Sequence, residues 1–265
     1  MSVSTRVRLF GLDFVDAPHI DVIADALCAP VVPEMAGSGE TVPVVITPNV
    51  DQLVKRDRMV DHIAARLVEQ AEFVLADGQP IVWASRLLRR PLQSRLPGSS
   101  LIAALWPRLV ETERRALVVA SSPVMAQRIR LEGPTLHAIE APVLDLGRRH
   151  DFDEFVSSCV AAALDVEAEF VFVTLGYPKQ CNIIDGMLRQ WPAGRTLPRF
   201  LAIGAAFDMH YGMVRRAPDF VQRIGLEWLF RFIQEPRRLF RRYFVDDVAF
   251  APMVIRELRN ARRTA

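Results

Sequence analysis

The sequence predicts an α/β fold: a Rossmann-like parallel sheet sandwiched by helices, followed by a basic helical appendage at the C-terminus. Three observations lead there. Apolar, β-branched runs at residues 42–47, 73–76, 116–120, 170–175 and 200–203 alternate with segments of helical period, and such alternation implies βαβ units around a sheet covered on both faces. The 265 residues are 51% hydrophobic and 24% charged, enough for one large core and unlike a disordered chain. Charge is polarised: the net charge is +2, yet from His210 onward 12 Arg face 6 acids, while the rest carries 21 basic and 25 acidic residues. The expected division is an α/β core over residues 1–207 and a helical appendage over 208–265.

Each element has its own signal. Residues 6–10 read as a short strand and 20–27 as a helix, separated by a Pro/Gly-rich loop at 29–40 from the buried strand at 42–47. Pro48 ends that strand, and Asn49 is placed to cap a helix running from 50 to 69. The strand at 73–76 stops at Asp77-Gly78, and Pro80 opens the helix at 81–88. Further on come strand 116–120, helix to about residue 130, a short strand at 137–139, helix 152–164, strand 170–175, helix 181–189 and strand 200–203. Beyond that, Phe220, Ile224, Trp228 and Phe232 recur at i, i+4 as on an amphipathic helix.

The same C-terminal run holds eight arginines and no lysine between residues 215 and 243, against three acids. Arginine's planar fork holds phosphate by two parallel hydrogen bonds, which lysine does not. Two readings stand side by side: a solvated surface helix, or a basic, aromatic-flanked surface for anionic headgroups or a pyrophosphate. Arg231, Arg238 and Arg241 are spaced to share one helical face, with Pro236 expected to break the helix near Glu235.

Several classes are disfavoured. Cys28, Cys159 and Cys181 are far apart and form no CxxC pair, so a zinc site or disulfide framework is not expected and a reducing cytoplasm is the natural compartment. The N-terminus lacks the apolar core of a signal peptide, and no stretch reaches 18 uninterrupted apolar residues. Neither GxGxxG, a P-loop lysine motif nor GxSxG occurs. Asp151 and Asp153 lie at a helix start rather than at a strand end, so no metal is expected. Nucleic-acid binding is disfavoured by the acidic core and the absence of any RRM-, KH- or HTH-like motif.

In open parallel sheets ligands bind beyond the carboxyl ends of the strands. There lie Thr47-Pro48-Asn49, Asp77-Gly78, Ser121-Ser122, residues 176–180 and residues 204–208. Asp77 follows an apolar strand, so its carboxylate is expected in a cleft, where partial burial favours a general base; the alternative is an Asp-Gly turn residue. Thr47 and Asn49 are either ligand contacts or capping residues, and Gln180 is either a contact or a helix-start residue.

Taken together, ITPN, VLADG, RLPGSSL, TLGYPKQ, AIGAAFD and the long block VRRAPDFVQRIGLEWLFRFIQEPRRLFRRY resemble the WecG/TagA/CpsF glycosyltransferase family, glycosyltransferase family 26, over roughly residues 42–243. The resemblance implies an inverting transfer of one sugar from a UDP-sugar to a polyprenyl-pyrophosphate-linked saccharide. It places that step in bacterial cell-surface polysaccharide or teichoic-acid-type assembly, without metal or cofactor, by a cytoplasmic protein held peripherally at the inner face of the plasma membrane. It implies that Asp77 is the general base, that Thr47 and Asn49 belong to the family's TPN pocket, and that Gln180 lies beside the transferring sugar. Arg231, Arg238 and Arg241 would meet the lipid pyrophosphate, and Asp208 and Arg216 join them as substrate-binding candidates. The apolar appendage helix leaves homo-oligomerisation open.

Two departures stand out. Cys181 follows Gln180 where the family usually has Glu, and the usual glycine-rich turn reads ASSPVMA at residues 120–126. A thiol replaces neither the charge nor the hydrogen bonds of a carboxylate. These changes point to altered donor specificity; the alternative is a non-catalytic member that binds a nucleotide-sugar or serves as a scaffold.

Overall fold

The structure, a computed structural model, describes residues 5–29, 41–214, 218, 221 and 227–263. Its sheet has eight strands: β1 (Arg6–Leu9), β2 (Leu12–Val15), β3 (Val42–Ile46), β4 (Ala71–Val74), β5 (Ala116–Ala120), β6 (Leu136–Glu140), β7 (Phe170–Val173) and β8 (Arg199–Ala202). Their order is β1-β2-β4-β3-β8-β7-β5-β6. All neighbours are parallel except the β1–β2 pair at one edge. The mixed α/β layering expected from the sequence is what forms.

Strand side chains alternate between two apolar layers, as the two-residue period of a strand requires. Val44 and Ile46, Leu117 and Val119, and Val171 and Val173 face one layer. Val45, Val118, Phe170 and Phe172 face the other. The first layer is covered by α2 (Val50–Asp57), α3 (His62–Gln70), α4 (Gln79–Leu87), α7 (Arg149–Asp165) and α8 (Lys179–Gln190). The second is covered by α1 (Ile20–Cys28), α5 (Gly98–Glu111), α6 (Pro123–Glu132) and α9 (Ala206–His210). Trp106 of α5 meets Phe172 edge-on at 5.4 Å and Phe207 at 4.7 Å. Each such pair adds about 0.5–1.5 kcal/mol beyond area burial, and together they fix α9 against β7.

Three local expectations need correction. Residues 6–15 form a hairpin rather than a lone strand, because Phe10 and Gly11 take positive φ (52° and 76°), as a two-residue type I′ turn requires. The expected helix at 50–69 is two helices. Met59 sits at φ 50° between them, and the Asp61 carboxylate accepts the Ala64 N–H at 2.8 Å, starting α3 afresh. Helix α5 was not among the expected elements, although its buried Leu101, Ile102, Leu105, Trp106 and Leu109 recur at helical spacing; it contains Pro107, which removes one helical N–H.

After α9 the described residues of the C-terminal part form α10 (Glu227–Gln234), α11 (Pro236–Arg241), a π turn over Arg242–Asp246, a 3₁₀ turn over Asp247–Ala249 and α12 (Phe250–Arg263). The break expected at Glu235 is present, with Pro236 in the first turn of α11. Arg231 and Arg238 therefore stand on separate helices. Helix α12 returns to the core: Phe250, Met253 and Val254 are buried in the first apolar layer, and Phe250 packs on Phe10 at 5.3 Å. Arg256 pairs with Asp57 across the same junction.

Candidate functional site

A cavity of about 410 Å³ opens beyond the carboxyl ends of β3 and β4. From the core it is lined by Asn49, Val50 and Asp51, by residues 77–80, and by Trp83 and Arg95. From the C-terminal part it is lined by Arg242, Tyr243, Phe244, Asp247 and Phe250. Two of the proposed site residues, Asn49 and Asp77, thus share one wall.

Local bonding explains their positions. The N–H of Asp77 donates to the carbonyl of Pro48 at 3.1 Å, extending the β3–β4 pairing past the strands. The N–H of Leu96 donates to the carbonyl of Ala76 at 2.9 Å, which brings the segment carrying Arg95 to the same rim. Asn49 accepts the Gln52 N–H at 3.1 Å and so caps α2 while lining the cavity. The capping and contact readings of Asn49 are therefore compatible.

Thr47 and Gln180 occupy the layer beneath. Thr47 is buried, and a Cβ on Gly98 would stand only 2.9 Å from its Oγ1. Only glycine permits that approach of α5 to the end of β3. Gln180 is buried, and its Oε1 accepts the Gly204 N–H at 2.9 Å, tying the start of α8 to the end of β8. Neither residue lines the cavity.

Asp208 lies on α9, half-buried, and burial pushes its carboxyl above the usual range. It lies away from the cavity lining. Arg241 ends α11 and is exposed, whereas its neighbour Arg242 turns into the cavity. Arg216 lies outside the described residues, as do the side chains of Arg231 and Arg238.

The C-terminal wall carries its own electrostatics. Asp51 Oδ2 is 2.9 Å from Lys55 Nζ and 3.8 Å from Arg242 Nε. Asp247 stands with them: burial pushes its carboxyl up to about 6, with Asp51 and Asp246 raising it and Arg242 and Lys55 opposing. One buried oxygen of Asp247 and the Nε of Arg242 make no hydrogen bond.

Sequence reasoning did not select Arg95, Arg242, Asp247 or Trp83. Arg95 stands within the quoted RLPGSSL motif and Arg242 within the arginine run. The π turn supplies the missing geometry: its wider winding points Arg242, Tyr243 and Phe244 at one space. Of the two departures, Cys181 is buried in the apolar layer, and burial drives its thiol pKa up. Ser122 caps α6 by accepting the Met125 N–H at 3.3 Å, and the Ser121 N–H donates to Thr174 Oγ1 at 2.9 Å.

The chain is similar to known proteins over most of its length. Residues 14–264 match the Glycosyl transferase WecG/TagA/CpsF family. A relative from Bacillus spizizenii strain W23 is 31% identical over 65% of this chain and 64% of its own length. Another from Staphylococcus aureus strain MW2 is 25% identical over 66% of each chain. A third, from Bacillus subtilis strain 168, is 28% identical over 74% of this chain and 73% of its own. All three are named N-acetylglucosaminyldiphosphoundecaprenol N-acetyl-beta-D-mannosaminyltransferase. The match spans just under two thirds of the first two relatives' lengths. With its family match running through the sheet, the cavity and the C-terminal helices, the chain belongs to the Glycosyl transferase WecG/TagA/CpsF family.

Proposed function

We propose that this protein is an inverting glycosyltransferase that moves a sugar from a UDP-sugar to a saccharide carried on a polyprenyl diphosphate. The carrying observation is one cavity that joins Asp77 and Asn49 of the core to Arg242 of the C-terminal segment. The relatives' name, with its diphosphoundecaprenol-linked acceptor, supplies the substrate class.

In this reading the acceptor hydroxyl attacks the anomeric carbon opposite the donor diphosphate. The carbon–oxygen bond to the diphosphate breaks, UDP departs with the bonding electrons, and the hydroxyl proton passes to the Asp77 carboxylate. Arg95 and Arg242 balance diphosphate charge at the cavity, where guanidinium groups bind phosphate oxygens in pairs. Thr47 and Gln180 set the shape of the rim through Gly98 and Gly204. Asp208, Arg216, Arg231, Arg238 and Arg241 remain substrate-binding candidates on the strength of the sequence resemblance.

The C-terminal segment, residues 208–265, is read as the part that meets the lipid. Among the described residues no helix is long and apolar enough to cross a membrane, so the proposed contact is peripheral, at the inner face of the cytoplasmic membrane. Val245 and Val248 are exposed, as are Arg237 and Arg241 of the same segment, the mixture of apolar and cationic groups that suits an anionic surface. Wild-type retention of anionic-liposome binding by an Arg241→Glu/Val245→Ser variant would remove that role.

The deciding experiment is UDP release from a panel of UDP-sugars with a short-chain prenyl-diphosphate-linked N-acetylglucosamine acceptor. Release that requires both substrates supports the reading. Release that ignores the acceptor, or none with any donor, defeats it.

A further inference from the structure

The mechanism above leaves one feature of the cavity unused. Helix α4 begins directly after Asp77-Gly78, buries Ile81, Val82 and Ala84, and turns Trp83 outward. Trp83 is 48% exposed and Leu87, one turn further on the same face, is 60% exposed. Large apolar side chains left half in water beside a ligand cavity mark an unfilled contact. Trp83 belongs to the cavity lining, together with Pro80, Tyr243, Phe244 and Phe250.

The C-terminal segment presents a matching apolar strip. Phe244 is 50% and Phe240 57% exposed, their ring centroids 5.1 Å apart. Phe244 shares the cavity with Trp83, and Phe240 extends the strip one helical turn away. Around the same cavity stand Asn49, Asp77, Arg95 and Arg242. One set of walls thus suits an anionic, hydroxyl-bearing head and the other an apolar chain.

We infer that Trp83 and Leu87 of the core, with Phe244 and Phe240 of the C-terminal segment, form a subsite for the first isoprene units of a prenyl diphosphate. This rests on the proposed acceptor class for the identity of the chain. A prenyl chain is favoured over a bilayer as the occupant because Trp83 lines the same space as Asp77 and Arg242. A headgroup anchor would instead project away from the site. Isoprene units stacked on Trp83 would draw affinity from apolar burial and hold the diphosphate at the arginines.

The test is binding, so it needs no sugar transfer. Calorimetry of the full chain compares farnesyl diphosphate with inorganic pyrophosphate. The wild type is expected to bind the prenyl form at least about tenfold tighter. Trp83→Ser and Leu87→Ser should each remove about threefold or more of that advantage, leave pyrophosphate affinity unchanged and lower Tm by no more than about a few degrees, since each side chain is only about half buried. Equal affinity for the two ligands in the wild type overturns the subsite. So does an undiminished chain advantage in both variants, or a Trp83→Ser variant whose main loss is binding to empty anionic vesicles. Chain-dependent binding without sugar transfer would defeat the proposed function and leave the subsite standing. Transfer with no chain-dependent binding would do the reverse.

Discussion

Arg242 Nε lies 3.8 Å from Asp51 Oδ2, so the C-terminal segment meets the core through opposite charges at the cavity wall. Asp51 is held as well by Lys55 at 2.9 Å. Removing Arg242 therefore leaves that carboxylate paired. Arg242→Ala is expected to change stability by less than about 1 kcal/mol but to lower kcat/KM with the lipid-linked acceptor about tenfold or more. Steady-state kinetics beside urea denaturation separates the two effects; a large stability loss with unchanged kinetics would make the arginine purely structural.

Asp77→Asn keeps the size of the side chain and removes its basicity. Turnover should fall by about 10²–10⁴-fold, the range for loss of a general base, while donor affinity by calorimetry stays within about twofold. Full turnover with saturating substrates would show that the proton goes elsewhere.

Asp247 gives a pH dependence with a defined sign. Its carboxyl is raised from an ordinary 3.8 to about 6, chiefly by burial. A raised acid favours the folded state most when protonated, so its contribution is complete below about 3.8 and is lost as pH rises through about 6. Asp247→Asn should then raise Tm by a few degrees at pH 8, on the order expected for about 1 kcal/mol, and change little at pH 4. Thermal melts at the two pH values decide it, and an equal shift at both would sink the assignment.

Gly98 and Thr47 form a testable pair. A methyl group on Gly98 would press to 2.9 Å on Thr47 Oγ1, whose β-branched side chain is buried and cannot swing away. Gly98→Ala should destabilise by about 1–3 kcal/mol, and adding Thr47→Ala should recover much of the loss. Additive losses in the double variant would place the strain elsewhere.

The thiols should separate sharply. Cys159 and Cys181 are buried, and burial pushes the Cys159 pKa up to about 12 and that of Cys181 upward as well. Cys28 is part-exposed. Burial raises the Cys28 thiol as well, yet its partial exposure should make it react with a disulfide reagent in native protein ahead of the other two, which should appear on denaturation. Rapid native labelling of Cys181 would mean that its place in the core is wrong.

Much of the scaffold was legible beforehand, for a local reason. Runs such as residues 170–173 are apolar at every position because both faces of a parallel strand are buried. Residues that follow such runs, Asp77 and Asn49 among them, land on the rim beyond the carboxyl ends of the strands by topology alone. The Pro236 break was equally visible, since proline cannot donate within a helix. Less visible was the Met59 break, where positive φ at a non-glycine residue has no strong sequence mark.

By itself the sequence determined the layered α/β class, the polar rim beyond the strands and an arginine-rich end, because hydrophobic period and composition record local burial. The cavity was decided only by tertiary structure. Its walls come from residues 49–51, 77–83, 95 and 242–250, segments that no period connects. Docking of α12 through Phe250, Met253 and Val254 brings the last of these into place. The same packing turned Arg242 inward while Arg241 stayed in solvent; separately, the packing of α8 against the end of β8 assigned Gln180 to holding Gly204. Which of two adjacent arginines faces the cavity depends on a single turn of backbone, and that turn is set by what the distant chain packs against.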